Sequence, residues 1–237
     1  MAPPIRPAAA LGTAVAILAG LTTGSDLAAQ TAVPNLSGNY IRGDFVGLGQ
    51  SDQVIDPELL TEEGQRRWLS YDYTTDDPAY GCIPSSWTRV WLNPNVVVRV
   101  SQADDHVRLR YEFMDLDRVI PLVADTDVED AGGIEGLPTL GRYVAWYDAD
   151  TLVIDSSDYE RGYISTIADW AGLPQSRRMR TIERISRSDD GLTIEITHMD
   201  PVVFRRPFVV TLNYESTDFE LLEYGCVPEE ASIVAPD

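Results

Sequence analysis

From Trp87 onward, short runs in which apolar and polar residues alternate fill most of the chain. In the run 106–113, Val107, Leu109 and Tyr111 fall on one side and Arg108, Arg110 and Glu112 on the other, the period of a half-buried strand. Comparable runs at 95–102, 118–123, 141–147, 151–156, 177–187, 192–198, 208–214 and 219–224 are separated by turns rich in Asp, Ser, Asn and Gly. The turn Ser188-Asp189-Asp190-Gly191 is the strongest hairpin signal, because Asp-Gly accepts the positive φ that a tight turn demands. With a first strand at 36–42 the count is roughly ten, mostly joined as hairpins. One helix stands out over 56–71: Asp56 can cap it, Pro57 suits the first turn, and Glu58, Glu62 and Glu63 sit near the positive end of the helix dipole. Residues 72–86 read as a loop carrying Cys82, and 157–176 as an irregular excursion that includes Trp170. The pattern predicts an all-β, mainly antiparallel, up-and-down barrel with one short helix, since open sheet edges invite aggregation.

Composition narrows the classes. The chain has 237 residues, 18 basic and 38 acidic, for a net charge of −20. Every basic residue is Arg, so Schiff-base and P-loop chemistry, which need an amine, are excluded. The charge repels phosphate backbones, and the densest basic runs, Arg177-Arg178-Met179-Arg180 and Arg205-Arg206, are too small to offset it; nucleic acid is not an expected partner. The acidic excess reads either as solubility or as adaptation to salt.

Residues 1–29 read as an export signal: Arg6 in the n-region, an apolar stretch over 8–21, and Leu27-Ala28-Ala29 before a cut at Gln30. That leaves 30–237 as a single barrel domain, periplasmic or secreted, with no membrane span after cleavage; an uncleaved anchor is the alternative. In an oxidising compartment Cys82 and Cys226 favour one disulfide. The rival is a nucleophilic Cys82, served by His106 or His198.

No His-Glu-x-x-His, Cys-x-x-Cys, Gly-x-Ser-x-Gly or phosphate loop is present, so no metal or cofactor is expected. Gly47-Leu48-Gly49 lacks the third glycine of a dinucleotide fingerprint. The acidic run 125–130 lacks the glycine of a calcium loop and reads as solvated. The candidates for chemistry lie on strands. Glu112 ends one and Arg118 begins the next, so a short hairpin would set them side by side. Glu183 shares a face with Met179, Thr181 and Ile185, and His198 continues the face of Leu192, Ile194 and Ile196. Were these to converge, His198 would serve as base, Glu112 or Glu183 as acid or orienting group, and Arg118 as holder of an anionic oxygen. Tyr111, Trp146, Asp155 and Arg89 are candidate ligand contacts. The bland readings are cross-strand ion pairs, a strand-end histidine and core aromatics.

Ordered motifs then carry a resemblance. Pro34-Asn35-Leu36-Ser37-Gly38-Asn39-Tyr40, Leu60-Thr61-Glu62-Glu63-Gly64, Cys82-Ile83-Pro84 with Arg89, Tyr111-Glu112 with Arg118, Tyr147-Asp148-Ala149-Asp150-Thr151-Leu152-Val153-Ile154-Asp155, Thr181-Ile182-Glu183-Arg184, Asp200-Pro201 and Glu223-Tyr224-Gly225-Cys226 follow one another along nearly the whole chain. This series resembles a family of secreted bacterial proteins without an assigned function, with Tyr40 and Tyr147 where that family usually has Trp. The resemblance implies that both cysteines stand where the family places them, which favours their pairing. The Leu-Ser-Gly-x-aromatic opening also resembles that of lipocalin-like barrels, where an Arg from the last strand often covers the aromatic ring. No Arg lies in 219–224, so Arg205 or Arg206 would have to replace it, unless that partner is missing. The combined expectation is a lipocalin-like barrel that binds or handles a small, largely apolar molecule inside, an enzyme doing acid–base chemistry (hydrolase or isomerase) in the same cavity, or an interaction protein without a cavity.

Overall fold

A computed structural model of the chain describes residues 33–42, 55–124 and 131–228. The expected export signal, the Gly47-Leu48-Gly49 segment and the acidic run 125–130 lie outside these residues.

The alternating runs pair as antiparallel ladders. The strands are β1 (Gly38–Arg42), β2 (Val98–Gln102), β3 (His106–Tyr111), β4 (Leu116–Pro121), β5 (Arg142–Asp148), β6 (Thr151–Ser157), β7 (Gly162–Ser165), β8 (Leu173–Gln175), β9 (Arg180–Arg187), β10 (Gly191–Met199) and β11 (Phe208–Ser216). Nine of them form one sheet in the order β4-β3-β2-β1-β11-β10-β9-β6-β5, while β7 and β8 form a separate hairpin. Read as a ring, each strand neighbours the next one in the chain, with the β7–β8 hairpin set aside from the ring. This is the up-and-down, nearly closed barrel that the alternation predicts.

Nine is odd, so antiparallel pairing all the way round leaves the two end strands parallel. The seam shows this: Leu122 and Ala145 form a parallel bridge, closed by Val123 N–H donating to Ala145 C=O at 2.8 Å. Further along the seam Gly132 pairs antiparallel with Tyr143 by two backbone hydrogen bonds of 2.8 and 3.1 Å. A Cβ on Gly132 would stand 2.9 Å from Val119 O and 2.8 Å from the Tyr143 ring, so only a glycine fits between β4 and β5 there.

Every second residue of the long strands points inward and is buried: Leu192, Ile194, Ile196 and His198 on β10, Phe208, Val210, Leu212 and Tyr214 on β11, Val107, Leu109 and Tyr111 on β3. The up-and-down order puts the β2–β3, β5–β6 and β9–β10 turns at one end, the turn end. The other end receives α3 (Trp87–Trp91), which precedes β2 and has all five residues buried.

Several expectations change, and the excursion expected to be irregular over 157–176 holds the β7–β8 hairpin. The helix expected over 56–71 is α1 (Glu62–Leu69), capped by Thr61, while Asp56 caps only a 3-10 turn at Pro57–Leu59. The chain breaks between them because Leu60 is fully buried and bridges to Phe204. Residues 72–86 include a second short helix, α2 (Tyr73–Asp76). Residues 219–224 form no strand. Both edges of β11 are already taken, by β10 and by β1, so no ladder is open to them. They form instead an extended strap.

The strap runs from the turn end to the other. Thr217 N–H donates to Asn39 O at 3.0 Å, Asn39 Nδ2 donates to Phe219 O at 2.9 Å, and Arg99 donates to Glu220 at 2.8 Å. Tyr224 and Gly225 N–H groups then donate to the Asp115 carboxylate at 2.8 and 3.0 Å. The strap ends in a disulfide between Cys226 and Cys82, which settles the cysteines as a pair.

Candidate functional site

The titratable residues singled out on the strands divide into a buried group and a surface group. Arg118 sits opposite Leu109 in the β3–β4 ladder and so points inward; Glu183 sits between Ile154 and Ile196 and does the same. Both are fully buried, and they pair: Arg118 Nη2 donates to Glu183 Oε1 at 2.7 Å and Nη1 to Oε2 at 3.1 Å. The indole N–H of Trp91 also donates to Oε2, at 2.7 Å. The guanidinium lies 4.1 Å from the Trp87 ring and 4.5 Å from the Tyr143 ring, and Nη2 donates to Ser156 Oγ at 3.2 Å. The charge is thus matched by a carboxylate and held between two π faces.

His198 is also fully buried, 2.7 Å from Thr88 Oγ1 through Nε2 and 3.2 Å from Phe208 O through Nδ1. A carbonyl can only accept, so Nδ1 carries the proton, Nε2 accepts, and the Thr88 hydroxyl donates. Burial pushes the imidazole pKa down to about 4, against a smaller raising effect of the Phe208 carbonyl, so the ring is neutral at neutral pH.

Tyr111 faces the same interior, with its ring centroid 5.0 Å from Trp91 and 5.7 Å from Trp87, and burial pushes its hydroxyl pKa well up. Arg118, Glu183 and Tyr111 therefore do come together, and His198 joins them through α3. Glu112 does not. It lies past the end of β3, accepts from Val97 N–H at 3.2 Å, and leaves Arg118 to Glu183. The expected hairpin neighbours part because Arg118 lies on the inward face while Glu112 follows the last inward residue, Tyr111.

Asp155 points outward from β6 and accepts from Arg180 Nε at 2.9 Å. Arg89, on α3, is buried; Nη1 donates to Asn93 at 2.9 Å and the guanidinium rests 4.8 Å from the Phe113 ring. The arginine that covers Tyr40 is Arg187 of β9, not Arg205 or Arg206: it donates to the Tyr40 hydroxyl at 2.7 Å, and that hydroxyl donates to Leu36 O at 2.8 Å. Arg205 instead donates to Leu60 O.

What sequence reasoning missed is α3. Trp87–Trp91 opens the stretch expected to alternate, but Ser86 accepts from Arg89 N–H and starts a helix. Trp91 then reaches Glu183, the Trp91 carbonyl accepts from Tyr214 at 2.6 Å, and the Leu92 carbonyl accepts from Arg42 at 2.8 Å. Glu183 is thereby engaged with Trp91 of α3 and with Arg118, and His198 with Thr88 of α3 and the Phe208 carbonyl.

Trp146 has a different setting. It lines a surface groove of 680 Å³ at the turn end, beside the seam. Val33, Pro34, Leu122, Val123 and Ala124 supply apolar walls, and Asn35, Gln102, Asp104 and Tyr147 polar ones. Gln102 organises one side: its amide donates to Pro34 O at 2.9 Å and to the Tyr147 hydroxyl at 2.7 Å, and its carbonyl accepts from Leu36 N–H at 2.6 Å. The Tyr147 hydroxyl therefore accepts from Gln102 and keeps its own proton to donate.

No family model and no curated protein matches the chain. Among solved structures it is similar to a variant of the fluorescent protein UnaG, at 13% identity and a TM-score of 0.32 over 52% of this chain and 73% of that one. The barrel itself rests on the ladders described above, which make the chain a nearly closed, up-and-down antiparallel barrel.

Proposed function

We propose that the protein is an exported binding protein that takes a small, partly apolar molecule in the groove at the turn end of the barrel. The groove carries this reading: its 680 Å³ falls within the usual range of small-molecule sites, about 300–1,000 Å³, and its lining combines apolar walls with a few fixed polar groups. The disulfide supports an oxidising location, as expected once residues 1–29 act as a cleaved signal and 30–237 as one domain. An acid–base role for Arg118, Glu183 and His198, with Glu112 outside the group, would require α3 to withdraw from the barrel.

Native mass spectrometry of the mature protein from its exported fraction tests the reading. The expected result is a discrete small-molecule adduct that disappears in Ala103→Trp, which fills the groove from an exposed turn position. An adduct that survives Ala103→Trp places the ligand elsewhere and overturns the assignment.

A further inference from the structure

Resting on the groove as the binding site, we propose that its ligand is an organic cation: an ammonium group attached to an apolar tail. Among the described residues the groove lining contains no basic side chain. The arginines of β9 near the turn end are already engaged, Arg187 with Tyr40 and Arg184 with Asp148 at 3.0 Å. Asp104 lines the groove, and its carboxylate makes no hydrogen bond or ion pair within the described residues.

The aromatic lining completes the set. Trp146 is half-buried, beside Leu122, Val123 and Ala124. An ammonium ion with attached carbons is attracted by a π face and by a nearby carboxylate, and loses less hydration than a bare cation. The apolar walls give its tail a place out of water. The whole chain, at −20, repels an anionic ligand and concentrates a cationic one. Donor groups are few by comparison: the Tyr147 proton, the Asn35 amide and the Trp146 indole N–H. They suit an ether or hydroxyl on the ligand but do not set its charge.

Isothermal titration with three octyl amphiphiles below their micelle concentrations decides the point; their heads are trimethylammonium, sulfate and maltoside. The expected result is one-to-one binding of octyltrimethylammonium, about ten-fold tighter than octyl maltoside, with no binding of octyl sulfate. Asp104→Asn should weaken the cation about five-fold at low salt, and the difference should shrink when salt rises from about 0.02 to about 0.5 M. Trp146→Ala should weaken both, and the cation more than the maltoside. If the maltoside binds best and Ala103→Trp abolishes it, the groove reading stands and the cation proposal fails. If the cation binds at many sites and Ala103→Trp changes nothing, the acidic surface is acting as an ion exchanger and both fail. No binding of any of the three also overturns both.

Discussion

Glu183 has both carboxylate oxygens occupied inside the barrel, by Arg118 and by Trp91. Removing one member leaves the other charged and buried. Glu183→Gln should cost about 3–5 kcal/mol in chemical denaturation, whereas the double change Glu183→Leu with Arg118→Met should recover most of it. If the double variant is as damaged as the single one, the ion pair is not the source of the loss. His198 makes a pH prediction. Its folded pKa, about 4, lies below the ordinary 6.5, so its stabilisation is complete above pH 6.5 and is lost as pH falls toward 4. The loss should reach about 3 kcal/mol. Denaturation midpoints at pH 7 and pH 4.5 should converge more in His198→Gln than in the parent; equal pH dependence would contradict the assignment. The inward direction of His198 was legible, because it continues the alternation of Leu192, Ile194 and Ile196. The partner of Arg118 was not. Glu183 lies 65 residues away across the interior, and spacing along a strand carries no information about what faces it from the far wall.

At the scale of elements, α3 has only five residues, too few to persist as an isolated helix. Its position follows from what it touches, and from the strap that is bonded to the chain just before it. The Cys82–Cys226 disulfide closes a loop with a sequence separation of 144, worth about 5 kcal/mol on the chain-entropy view. Replacing both cysteines by Ser should lower the urea midpoint by a corresponding amount; an unchanged midpoint would mean that the strap holds without it. The strap also shows where periodicity misleads. Phe219, Leu222 and Tyr224 remain exposed because a strand needs a free edge as well as an alternating sequence, and β11 has none to give. The helix boundary shifted for a related reason: Leu60 is used in a bridge, which ends the 3-10 turn after Asp56 and restarts the chain at Thr61.

At the scale of the molecule, the hairpins were legible and the closure was not, since local turns specify which strands neighbour each other but not how the last meets the first. The seam depends on Gly132. Gly132→Ala should push against Val119 O and the Tyr143 ring and lower stability by about 1–3 kcal/mol in thermal unfolding. Gly133→Ala, whose Cβ would meet its neighbours only at 3.7 Å, should be close to neutral and serves as the control. Equal effects would remove the seam from the explanation. The odd strand count has one more consequence. An extended segment laid between two parallel strands can run antiparallel to both at once. Gly132, paired antiparallel to β5 and pressed against Val119 of β4, occupies that place with a single residue. The ring of nine thus has a built-in berth for a tenth rung, and its direction is dictated by parity alone.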